Sequence, residues 1–167
     1  MSHSVIRIIA AALAFWAALT SAQDLYCTSP SKFYISRVIH NWIGAAEYCH
    51  LLGMRMAVID TEAKQNEVVR LVEHSLIFNV TKTDLWIGAS DLAEEGTFVW
   101  LETGIEISKG YTNWARTQPD NLGSVEHCLH MWYEPAKNLT WHWNDWDCER
   151  KLVVVCENVQ EAAWYHK

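Results

Sequence analysis

Nowhere in the 167 residues is there an apolar run long enough to cross a bilayer. Spanning the hydrocarbon core takes about 20 apolar residues; the longest run, Ile8 to Leu19, has 12. Arg7 precedes it, and Thr20-Ser21-Ala22, small residues suited to signal-peptidase cleavage, follow it. That layout predicts a secretory signal peptide over residues 1–22, with a retained anchor as the less fitting alternative. The expected product starts at Gln23 and is soluble and extracellular. Positive charge is scarce as well. Thirteen Lys and Arg stand against 20 Asp and Glu, a net charge of −7, which argues against nucleic acid and anionic membranes as partners. Internal repeats, low-complexity tracts and dividing linkers are absent, so the chain reads as a single domain able to bury about two thirds of its unfolded surface.

Tryptophan is abundant. There are ten, and Trp86, Trp100, Trp114, Trp132, Trp141, Trp143 and Trp146 crowd the second half. Such rings bury large areas and can build a core with little regular structure, so each is expected to be structural. All five cysteines, Cys27, Cys49, Cys128, Cys148 and Cys156, follow the signal. In an oxidising compartment they read as disulfides, four pairing and one left over. Asn79-Val80-Thr81 and Asn138-Leu139-Thr140 are candidate N-glycosylation sites on exposed loops.

Along the chain, Lys32 to Ile39 predicts a strand, Asn41 to Leu52 a helix stopped by Gly53, and Met56 to Ile59 a short strand. Asp60-Thr61 caps a second helix from Glu62 to Leu76, with Val68, Val69, Leu71, Val72 and Leu76 at helical spacing. After Asp84, short apolar strands (Leu85–Ala89, Thr97–Leu101, Cys128–Tyr133, Trp141–Trp143 and Leu152–Glu157) alternate with loops rich in Gly, Asn, Asp and Pro. Helices first and strands after imply an α+β domain. Polar residues on long loops mark where a binding site tends to lie.

Four motifs stand in order in that second half: Trp86-Ile87-Gly88, Gly96-Thr97-Phe98-Val99-Trp100, Gln118-Pro119-Asp120 and Trp143-Asn144-Asp145. With the cysteines, they make the chain resemble the C-type lectin domain family from about Lys32 to Glu157. The resemblance divides the chain into a signal (1–22), a short N-terminal segment (23–31), the domain (32–157) and a tail (158–167). It implies two helices plus small antiparallel sheets with long disulfide-pinned loops. It implies the pairs Cys49–Cys156 and Cys128–Cys148. Cys27 is left over, and an odd cysteine in a secreted chain suggests an intermolecular disulfide with itself or a related lectin, the alternative being a thiol that stays free or is capped by a small molecule. Trp143-Asn144-Asp145 looks like the family's calcium-binding tripeptide, and Gln118-Pro119-Asp120 like its galactose-type motif, with a cis bond at Pro119.

The chemistry of those residues suits the ion. Calcium takes six to eight oxygens. Gln118 and Asn144 offer amide carbonyls, while Asp120, Glu126 and Asp145 offer carboxylates. Two neighbouring hydroxyls of a galactose or N-acetylgalactosamine residue would complete the shell, each also accepting from an amide and donating to a carboxylate. Galactose-selective members carry an aromatic residue where Leu122 stands, and Trp141 or His142 is the expected replacement. The resemblance offers Asp91, Glu95 and Glu126, with Asn121 as a weaker stand-in, for an auxiliary Ca2+ site. His127, however, occupies a position where a carboxylate is usual, and a hard cation gains little from imidazole, which argues against that site filling. The acids have a better assignment as metal ligands than as a glycosidase pair, and no nucleophile motif is present, so no catalysis is expected. His127 and His130 should face opposite ways on a strand, which argues against zinc. Secreted recognition of foreign glycans, with agglutination, is the implied role. The alternative is a calcium-independent relative that binds a protein partner.

Overall fold

The structure is a computed structural model that describes residues 31–159. The expected signal peptide (1–22), Cys27 and most of the expected tail lie outside the described residues. The elements in order are β1 (Phe33–Ile35), α1 (Trp42–Leu51), β2 (Arg55–Met56), α2 (Glu62–Glu73), β3 (Thr83–Ser90), β4 (Val99–Trp100), β5 (Glu126–Glu134), β6 (Leu139–Asp147) and β7 (Val153–Glu157). Both helices start where a side chain caps them. Asn41 Oδ1 accepts from the Gly44 N–H at 3.0 Å, and Thr61 Oγ1 from the Lys64 N–H at 3.3 Å. The second helix stops at Glu73, short of the expected Leu76. His74 Nδ1 reaches the Arg70 carbonyl at 2.7 Å and Ser75 Oγ donates to that of Val72 at 2.7 Å, so side chains take over the terminal carbonyls. Leu76 is then 89% exposed.

The strands form a seven-stranded sheet with the order β1-β7-β3-β5-β6, β2 pairing with β7 and β4 with β3. Its pairs are antiparallel except β3 with β7, which run parallel through Leu85–Val153 and Trp86–Val154. Small, purely antiparallel sheets are therefore replaced by one mixed sheet. A parallel pair needs a long crossover, and everything between β3 and β7 supplies it. Gly88 marks the tightest approach. A Cβ there would lie 3.0 Å from both the Ala57 carbonyl oxygen and Met56 Cβ, so any larger residue would force this segment to shift by a few tenths of an ångström.

Cys49–Cys156 ties α1 to β7, and Cys128–Cys148 joins β5 to the segment after β6. Closing loops of 107 and 20 residues contributes about 5 and about 3 kcal/mol on the chain-entropy account. Five tryptophans, Trp42, Trp86, Trp100, Trp141 and Trp143, are buried. Their ring nitrogens find partners: Trp42 Nε1 donates to the Ile87 carbonyl and Trp86 Nε1 to that of His40, each at 3.0 Å. Trp114, Trp132 and Trp146 are half-buried. Glu157, fully buried, is flanked by Lys32 at 3.0 Å, Arg55 at 2.9 Å and Lys64 at 3.5 Å. Burial pushes its pKa up, but Lys32, Lys64, Arg55 and the Val58 N–H outweigh that and hold it below the usual value.

Candidate metal centre

Gln118 and Asp120 lie in the loop between β4 and β5, Glu126 begins β5, and Asn144 and Asp145 sit in β6. Pairing of β5 with β6 puts Asn144 opposite His130 and Asp145 opposite Leu129. The Gln118–Pro119 peptide is cis. Asp145 then draws the loop onto the sheet: its Oδ1 accepts from the Asp120 N–H at 3.2 Å and its Oδ2 from the Asn121 N–H at 2.7 Å. Asn121, in the left-handed region with φ 42°, accepts from the Glu126 N–H at 3.0 Å. The outcome is one group of three carboxylates, Asp120, Glu126 and Asp145, whose oxygens lie within 4.8 Å of one another.

Three carboxylates so close call for a cation or a proton. Burial raises the pKa of Glu126, and the carboxylates of Asp145, Asp120 and Asp147 raise it further, against the Leu122 backbone. Burial also raises that of Asp145, against the backbone N–H groups of Asn121 and Asp120. Two amide oxygens from the same residue set, Gln118 Oε1 and Asn144 Oδ1, are buried without any hydrogen-bond partner. Leaving a buried acceptor unpaired costs about 1–3 kcal/mol. A hard cation would satisfy both oxygens and neutralise the acids together, so the donor set fits calcium.

Asn144 is held by a residue that sequence reasoning passed over. Its Nδ2 donates to His130 Nε2 at 3.0 Å and also meets the Asp145 main-chain oxygen. An amide nitrogen cannot accept, so His130 Nε2 must, which fixes the neutral tautomer with its proton on Nδ1. Burial keeps His130 neutral by lowering its pKa to about 3, with Lys82 adding to the effect. Asn144 Oδ1 is thereby kept apart from the ring, buried and without a hydrogen-bond partner. Strand alternation, which separates His130 from His127, was the available signal. From α2, Gln65 braces the neighbouring stretch, accepting from Trp143 Nε1 at 3.0 Å and donating to the Trp141 carbonyl at 2.8 Å.

The four residues offered for an auxiliary site divide. Asp91 and Glu95 gather with His127, whose Nδ1 lies 3.2 Å from a carboxylate oxygen of each. Glu126 belongs to the other acidic group, and Asn121 Oδ1 is engaged by the Glu126 N–H. An imidazole thus stands where such an ion would need oxygens. A cavity of about 200 Å3, lined by Asp91, Glu95, Asp120, Asn121 and Asp145, lies between the two groups.

Trp141 is not available to stack on a sugar. A shift in the β5–β6 register leaves Trp141 bulged at φ 66°, and its ring turns into the core, 4% exposed. There it packs 4.8 Å from Tyr133, and its Nε1 donates to Glu73 at 2.9 Å. His142 points the other way, half-buried opposite Trp132, in a cavity that Gln118 also lines. Leu122 is 69% exposed in the loop beside Asn121. Asn79 and Asn138 are both exposed. Among the described residues, no helix is long and apolar enough to cross a membrane.

Comparison with known proteins bears on the family and the fold. The family described as "Lectin C-type domain" matches residues 38–158. C-type lectin 16 of Aedes aegypti is 46% identical over 82% of this chain and 88% of its own length. Salivary C-type lectin 1 of Aedes albopictus is 45% identical over 95% of this chain and all of its own length. Among solved structures, the carbohydrate-recognition domain of the human scavenger receptor C-type lectin is similar at a TM-score of 0.63, with 26% identity, covering 75% of this chain and 88% of that domain. The chain belongs to the C-type lectin family, whose members are carbohydrate-binding proteins rather than enzymes and generally bind Ca2+.

Proposed function

We propose that this chain is a secreted lectin that binds galactose-type sugars through a calcium ion held by Gln118, Asp120, Glu126, Asn144 and Asp145. One observation carries the proposal. Two buried amide oxygens with no partner come from the residue set that also holds three converging carboxylates. The ion would orient two hydroxyls of the sugar, and this chain's carboxylates and amide N–H groups would accept from and donate to them. Galactose preference rests on the order of amide at Gln118 and carboxylate at Asp120, which resembles the galactose-type motif. With Trp141 in the core, the exposed Leu122 is left to offer an apolar surface to the sugar ring. The salivary relative from Aedes albopictus supports release from the cell, and the sequon at Asn79 suits that route. Recognition of foreign glycans is the role these features support.

A glycan array run in calcium and again in EDTA tests the proposal. Galactose- and N-acetylgalactosamine-terminated glycans should bind in calcium only. Binding that survives EDTA would point instead to a calcium-independent family member with another kind of partner, and mannose preferred over galactose would refute the sugar assignment.

A further inference from the structure

Gln118 borders a second cavity, of about 570 Å3, whose walls differ in character from the metal centre. Arg116 and Gln118 enter it from the loop before β5, Trp132 from β5, and Lys137, Asn138 and His142 from the β5–β6 turn and β6. No carboxylate lines it, although the whole chain carries a net charge of −7. Arg116 is exposed and forms no ion pair among the described residues. Lys137 Nζ lies 5.2 Å from the centre of the Trp132 ring and 3.1 Å from Glu134 Oε2, which Trp132 Nε1 also donates to at 3.1 Å. That contact holds the ammonium at the cavity wall while balancing part of its charge. His142 Nδ1 accepts from the Thr140 N–H at 3.1 Å, so the neutral ring carries its proton on Nε2 as a donor.

We propose that this cavity is a subsite for an anionic sugar residue, bearing a sulfate ester or a carboxylate, next in the glycan to the residue held at the metal centre. It rests on the calcium-lectin assignment and adds a preference within it. A guanidinium presents forked donors that match the oxygens of either anion, and the unpaired Arg116 is the group with that capacity. Trp132 supplies an apolar wall for a sugar's C–H face. The volume lies within the usual range of small-ligand sites. The three neighbouring acids would repel an anion, and a divalent cation among them would cancel two of their charges. The subsite should therefore serve glycans whose first residue is already held by calcium.

The test compares conjugates whose galactose keeps its ring hydroxyls free and is linked to neutral N-acetylglucosamine, to 3-sulfo- or 6-sulfo-N-acetylglucosamine, or to a 6-linked sialic acid, at equal density, in calcium, at low and at physiological salt. An anionic conjugate should bind about tenfold tighter than galactose, the equivalent of one charge-assisted hydrogen bond, with the ratio narrowing as salt screens it. Preference for the sulfated arms assigns a sulfate ester, and preference for the sialylated arm a carboxylate. R116Q/K137Q, and R116Q alone if the double variant does not fold, should bring the ratio near one. A ratio near one for every anionic arm of the wild type, or a ratio that survives R116Q/K137Q, would overturn the proposal. Failure of the calcium-lectin assignment shows separately, as neutral galactose binding that does not depend on calcium.

Discussion

Substituting His130→Gln should make the calcium-free protein resist acid better than the wild type. His130 is 1% exposed, between the rings of Trp86, Trp132 and Trp146 and the Asn144 amide. Burial holds its pKa at about 3 in the folded chain, against about 6.5 for an unfolded histidine. The folded state therefore refuses a proton that the unfolded state accepts. The stability it confers is whole above about pH 6.5 and is lost progressively as pH falls toward 3. Between pH 7 and pH 5 the loss works out at about 2 kcal/mol, out of the roughly 5–15 kcal/mol of an ordinary domain. Glutamine does not titrate there, and its side-chain oxygen can still accept from Asn144. Urea unfolding in EDTA, with disulfides intact, at pH 7 and pH 5 measures the difference. Glu126, Asp145 and Asp84, whose pKa values burial raises, gain stability as pH falls, but they are common to both proteins and cancel in the comparison. Wild type should lose about 2 kcal/mol more than the variant. Equal losses would mean that the folded domain takes up the proton, and the account of His130 would fail.

Asp145→Ala should lower calcium affinity by more than about 100-fold, beyond the cost of losing an outer-shell partner, while circular dichroism stays native; a folded variant that keeps calcium-dependent sugar binding would remove Asp145 from the ligand set. Exchanging the amide and carboxylate, Gln118→Glu with Asp120→Asn, should move preference toward mannose-type sugars, read from inhibition by free mannose and galactose. Calcium should leave at higher pH than from ordinary carboxylates, because burial raises Glu126 and Asp145 in the metal-free protein and protons compete with the ion sooner; calorimetric titrations at pH 7, 6 and 5 should show steadily weaker binding. Non-reducing electrophoresis of the chain recovered from the culture medium should show a disulfide-linked dimer that Cys27→Ser abolishes, and a monomer both when it is expressed alone and when it is expressed with co-secreted lectins would refute the pairing.

The elements most legible in the sequence are those stabilised by neighbours in the chain. Asn41 and Thr61 cap helices because each side chain reaches an N–H three residues on. Trp86-Ile87-Gly88 and Trp143-Asn144-Asp145 signalled strands because their order and spacing survive any folding. Oxygen chemistry is a property of residue type, and it was the resemblance to the C-type lectin family that singled out Gln118, Asp120, Glu126, Asn144 and Asp145 as a group before any distance was known. The cysteine count pointed to two pairs and one remainder, and the resemblance supplied Cys49–Cys156 and Cys128–Cys148, both present in the fold.

Tertiary structure decided where those side chains point and what stands behind them. Trp141 and His142 were equal candidates for a sugar-facing ring until the β5–β6 register turned Trp141 into the core and left His142 outside. Register depends on a partner strand, and no local pattern reveals a bulge. The support that His130 gives Asn144 crosses that same pair of strands, joining residues 14 apart in sequence. Asp91, Glu95 and His127 come together because β3 meets the start of β5, which also separates Asp91 and Glu95 from Glu126. The parallel contact of β3 with β7 has the same origin. Residue type and spacing settle what chemistry a side chain can perform, and only long-range packing settles which others it performs it with.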